Sequence, residues 1–155
     1  MNAGSFVQTA IDCGAYVDAL GKTVLRIHNL AVRYDFGGTG PSVLVPGQAN
    51  GFFQLTTQSQ TSLVPATDRS VISTGQISST NKGPGNNEYD FFSDSLDIAP
   101  QHWRNGYLIG VEQLYLAVQA IGNGFETDPR VEIVMECTVE TLSQSAAMAL
   151  ALSQN

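Results

Sequence analysis

Between Arg130 and Leu142 the chain alternates with a period of two. Val131, Ile133, Met135, Cys137 and Val139 share one parity, and Glu132, Glu136 and Glu140 share the other. Successive side chains of a strand point to opposite faces, so this segment reads as a strand with one apolar and one solvated face. Such strands belong to antiparallel sheets packed on one side against a core.

Other segments carry the same signature. Lys22–Phe36 is rich in β-branched and aromatic residues and stops at Gly37-Gly38-Thr39-Gly40-Pro41, which predicts a long strand and a loop. Residues 6–20 read as two short extended pieces broken near Gly14. Val43–Val45 reads as a short strand stopped by Pro46-Gly47. Phe52–Ser59, Ser70–Ser78 and Tyr89–Leu96 are further strands, with an exposed Gly/Pro/Asn loop over 79–87. Ile98–Arg104 fits one helical turn with Trp103 packed inward. Tyr107–Ile121 is apolar on both parities, as in one strand covered on both faces; Gly106 and Gly110 weaken the rival helix. From Ser143 the pattern changes: Ala146 to Leu152 are mostly strong helix formers, and Ser143 or Ser145 would cap them. These elements predict an all-β fold. It is a single antiparallel β-sandwich, eight-stranded and of jelly-roll rather than immunoglobulin type, with a short C-terminal helix. One domain spans 1–155, with an N-terminal segment over 1–21, the sandwich over 22–142 and the helix over 143–155.

Charged residues make up 14% of the 155, against roughly a quarter in an average globular chain. Ser, Thr, Gln, Asn and Gly take their place. A neutral-polar surface costs little to desolvate, which favours extensive protein–protein contact. The formal net charge is −7, and the seven basic residues are scattered singly, so direct nucleic-acid binding is not expected. The opening Met1-Asn2-Ala3-Gly4-Ser5 lacks the basic start of a secretory leader, and no apolar run approaches the roughly 20 residues of a membrane-spanning helix. The two cysteines, Cys13 and Cys137, are expected to be free, with Cys137 on the inward face of its strand.

No constellation for catalysis stands out. His28 and His102 lack partners at metal-ligand spacing. Gly37-Gly38-Thr39-Gly40 lacks the Lys-Ser/Thr of a phosphate loop and reads as a turn. Glu88, Asp90, Asp94 and Asp97 form the densest acidic patch, but Asp90 and Asp94 lie about 13 Å apart along a regular strand, too far for one cation. The expectation is no enzyme, no cofactor and no bound metal.

The long strand Lys22–Phe36, the Thr/Gln-rich strand Phe52–Ser59 and the closing segments Tyr107–Ile121 and Arg130–Leu142 resemble the small viral coat proteins built on one jelly roll. That resemblance implies a capsid protein in the virion, whose partners are copies of itself and other capsid proteins. Coat proteins of RNA viruses often carry a basic N-terminal arm. This chain has none, which suits a shell lying over an internal membrane or another protein layer. The alternative is a carbohydrate-binding or adhesin-type module using Tyr16, Tyr34, Tyr89, Trp103 and Tyr107 as stacking surfaces. Candidate interface residues are Met148, Leu150 and Leu152 in the tail and Phe52 and Phe53 in the third long strand. The tail helix is apolar nearly all round, so it is expected to be covered from outside its own sandwich, the alternative being a helix that caps the open end of the same sandwich.

Overall fold

The computed structural model describes residues 4–155 apart from 19, 21, 39, 84–88 and 123, with only the backbone of 89–93. Eight strands form two antiparallel sheets among the described residues. The larger sheet holds β1 (Phe6–Asp12), β7 (Gln113–Gly122), β3 (Gly47–Thr56), β4 (Val71–Asn81) and β5 (Tyr89–Ile98) in that spatial order. The smaller holds β6 (Tyr107–Ile109), β2 (Thr23–Asp35) and β8 (Arg130–Thr141). A helix, α1 (Gln144–Gln154), ends the chain. The all-β sandwich with a C-terminal helix is therefore the fold. Its strand order departs from the jelly-roll expectation of two four-stranded sheets: β3, β4 and β5 run as a meander in one five-stranded sheet, β7 returns between β1 and β3, and β8 returns beside β2.

The core lies between the sheets. Leu25, Ile27 and Leu30 of β2 meet Phe53 and Leu55 of β3, Ile72 of β4 and Leu114 of β7. Burying each such side chain is worth roughly 1.5–3 kcal/mol. A second cluster, Phe36, Val43, Ala49, Ile77 and Phe125, closes one end; the Phe36 and Phe125 rings lie 5.2 Å apart. Gly75 permits the closest packing. A Cβ there would stand 2.5 Å from the Phe53 ring and 2.6 Å from the Ser95 carbonyl oxygen.

Several expectations change. The sandwich begins at Phe6, not at residue 22, because β1 is an edge strand of the larger sheet along its whole length. Val43–Val45 is not a strand; Val43 is a buried anchor whose carbonyl accepts from Asn81 Nδ2 at 2.7 Å, and β3 starts at Gly47. The helical turn after Ile98 is present as Pro100–His102, but Trp103 is 56% exposed rather than packed inward. Tyr107–Ile121 is two strands in different sheets. Inward residues switch parity at the crossing, from Ile109 and Val111 to Leu114, so the segment looks apolar on both faces without being one doubly covered strand.

Candidate interaction surfaces

The residues weighed for chemistry are placed apart. Among the described residues no group of three or more His, Cys, Asp and Glu side chains is arranged to hold a metal ion. His28 Nε2 lies 2.8 Å from Thr138 Oγ1, and His102 Nδ1 accepts from the Ala99 amide at 3.2 Å, closing the short turn. Gly37 begins a plain turn in which its amide donates to Asp35 Oδ1 at 3.0 Å. Glu88 and the Asp90 side chain lie outside the described residues. Asp94 lines the gap beside Tyr34, and partial burial raises its carboxyl above the usual carboxylate range. The Tyr34 hydroxyl is buried without a hydrogen-bond partner, and its ionisation is pushed far up, chiefly by burial and then by Asp94 and Asp97. The Tyr89 side chain lies outside the described residues; among the rest, Trp103 and Tyr107 line one depression and the other aromatics stand apart from it. Tyr34 packs edge-on against Phe53, while Tyr16 and Trp103 line different depressions.

The interface candidates divide by exposure. Ser143 caps α1, its hydroxyl accepting from the Ala146 amide at 3.2 Å. Ala147 is fully buried, and Leu150 packs over Gly110, where a Cβ would stand 2.9 Å from its Cγ. Gln154 then locks the helix down: its Oε1 accepts from the Gly110 amide at 2.7 Å and its Nε2 donates to the Leu108 carbonyl at 2.8 Å. The helix is thus held by its own sandwich, with Leu150 on the docked side. Met148, 43% exposed, and Leu152, 74% exposed, face away. Phe53 is fully buried, so it is a core residue and not an interface residue. Its neighbour Phe52 points to the opposite face and is half-buried.

Phe52 marks a surface that single-residue reasoning missed. The strand registers place Phe6, Gln119, Phe52, Gln76 and Ser95 directly beside one another, one from each strand of the larger sheet. Opposite residues of an antiparallel ladder share a face, so this is one uncharged row across the full outer side of that sheet. The adjacent row Ile121–Asn50–Ser78 is also neutral, and Ser78 Oγ donates to Asn50 Oδ1 at 2.6 Å. The outer face of the smaller sheet is the opposite in kind. Arg26 Nε donates to both Glu140 oxygens at 2.9 and 2.8 Å, Asn29 Nδ2 donates to Glu136, and Arg33 lies 4.0 Å from Glu132. Only knowledge of the register separates the two faces, because charged and neutral strands are interleaved along the chain.

The third surface is a groove of about 430 Å³ where the sandwich stays open between β1 and β8. Ile11, Asp12, Cys13, Tyr16, Leu25, Met135, Cys137 and Val139 line it. Both cysteines are free, Cys13 buried and Cys137 half-buried, and burial raises both thiols. No helix among the described residues is long and apolar enough to cross a membrane. No protein-family model, curated protein or solved structure matches the chain.

Proposed function

We propose that this chain is a structural subunit that assembles with copies of itself into a shell, as the likeness to single jelly-roll coat proteins implies. The observation that carries the reading is the uncharged row Phe6–Gln119–Phe52–Gln76–Ser95 across the larger sheet. Neutral groups are desolvated at low cost, so a face of this composition is suited to burial against a neighbour. The charges gathered on the smaller sheet keep that side wet. Met148 and Leu152 add an apolar contact on a helix without a charged side chain, suited to a second protein layer or an internal membrane. In this reading the protein is a component of a virion, has no enzymatic role and makes no direct contact with nucleic acid.

Light scattering on a sizing column tests the reading. The expected result is a species many times the mass of the monomer, reduced in size by Gln76→Arg, which puts a charge at the centre of the neutral row. Gln76 is exposed, so the variant should fold normally. A wild-type chain that stays monomeric at every concentration overturns the proposal.

A further inference from the structure

Resting on the self-assembly reading, we propose that β8 pairs edge to edge with β8 of a second copy, antiparallel about a two-fold axis through Met135. β8 is the outer strand of the smaller sheet, so among the described residues one side of its backbone has no partner strand. Long bare edges are normally guarded by charged side chains, lysine above all, by inward charges, proline, bulges or shortness. Two of the other edges show such features, while β1, the remaining edge, is bare as well but shorter, at seven residues. β5 turns Asp94 inward, opposite the buried Ile77 of β4. β6 is only three residues long, and beyond it Gln101 pairs with both the amide and the carbonyl of Leu30 at 3.0 and 2.9 Å. β8 has no lysine, no proline and no inward charge; its charged residues, Arg130, Glu132, Glu136 and Glu140, share the outer face, and Val131, Ile133, Met135, Cys137 and Val139 all face inward, yet four are half-buried and Val139 is 52% exposed.

The sequence of β8 is complementary to its own reverse when the pairing centres on Met135. Residues opposite each other in an antiparallel ladder share a face, and a two-fold axis across the ladder keeps the faces, so the axis must pass through a residue. Centring on Val134 sets Glu132 against Glu136 twice. Centring on Glu136 sets it against itself and Glu132 against Glu140 twice. Centring on Ile133 or Cys137 opposes no like charges either, but leaves more of the strand unpaired; centring on Met135 pairs nearly all of it, with Arg130 against Glu140 at both ends, Glu132 against Thr138 and Val134 against Glu136. The inner row becomes Val131–Val139, Ile133–Cys137 and Met135–Met135, entirely apolar. Two inner rows would then extend each core across the open groove.

The outer residue Val134 is 72% exposed, so changing it should leave the monomer fold intact, as a melting curve would check. Val134→Glu would oppose Glu136 of the second copy twice and should weaken association about tenfold. Val134→Lys would face the same Glu136 and should associate at least as tightly as the wild type, whereas a register centred on Val134 would oppose two lysines. With Cys13→Ser and Cys137→Ser, Met135→Cys should give a dimer cross-linked through residue 135 under diamide. If the wild type assembles while both Val134 variants match it and Met135→Cys does not cross-link, the β8 edge is free for another occupant and this proposal fails with the shell reading intact. If a cross-linkable dimer forms and nothing larger does, the shell reading fails and the β8 pairing stands. A monomeric wild type overturns both.

Discussion

Glutamine does in this chain what charge does in others. Gln101 pairs with both backbone groups of Leu30, Gln154 bridges Gly110 and Leu108, and Gln54 bonds both the amide and the carbonyl of Val64. A side-chain amide offers donor and acceptor together, so each glutamine substitutes for one residue of a ladder where a strand has ended. Part of the neutral-polar composition is therefore internal: Ser73, Thr74, Ser79 and Asn81 are buried as well. Glycine sets the closest contact. Gly75→Ala would drive a methyl group against Phe53 and the Ser95 carbonyl and should cost about 3 kcal/mol, read as a lower denaturant midpoint. Glu140 gives the clearest titration. The Arg26 hydrogen bond holds its carboxyl below the usual 4.5. A depressed native value means that the ionised form stabilises the fold. That contribution is full above the unfolded value and is lost as the pH falls through the native one. This exposed pair is worth at most about 1 kcal/mol. Glu140→Gln should therefore melt slightly lower than the wild type at neutral pH, with the two curves converging in acid.

At the scale of elements, the strands with clear alternation were legible. Arg130–Thr141 and Thr23–Asp35 fall where period-two patterning puts them, while β4 runs on to Asn81, into residues expected as exposed loop, with Ser79 and Asn81 buried. The helix was legible from the abrupt onset of alanine and leucine after Leu142. What patterning could not supply was partnership. The break at Gly110 has its cause in the helix, since Leu150 occupies the space a side chain there would need. Likewise Phe52 and Phe53 look equivalent in sequence, and only the register shows that one is core and the other surface. Two variants separate docking from assembly at α1. Gly110→Val should displace the helix and speed amide exchange across residues 144–154 while the strands stay protected. Met148→Ser with Leu152→Ser should leave exchange and melting unchanged and reduce the assembled mass. If the double variant assembles normally, α1 is a lid on its own sandwich alone.

For the whole molecule the deciding quantity is the net charge of −7. Two such subunits with centres about 30 Å apart, twice the expected radius of gyration, repel by about 7 kcal/mol in unscreened water. The Debye length is about 30 Å at 0.01 M salt and 10 Å at 0.1 M, which cuts the repulsion to about 2.5 and then about 0.3 kcal/mol. Salt also weakens the two Arg130–Glu140 pairs proposed across the β8 ladder, but each exposed pair is worth at most about 1 kcal/mol to begin with. The loss of repulsion exceeds the loss of attraction, so association should tighten about tenfold between those two salt concentrations. A shell held together through a nucleic acid behaves in the opposite way, because phosphate contacts release counterions and loosen steeply as salt rises. Light scattering across a salt titration of the purified chain reads the sign directly. Assembly that dissolves as salt increases would contradict the neutral-face mechanism and point to contacts made by the charged face of the smaller sheet.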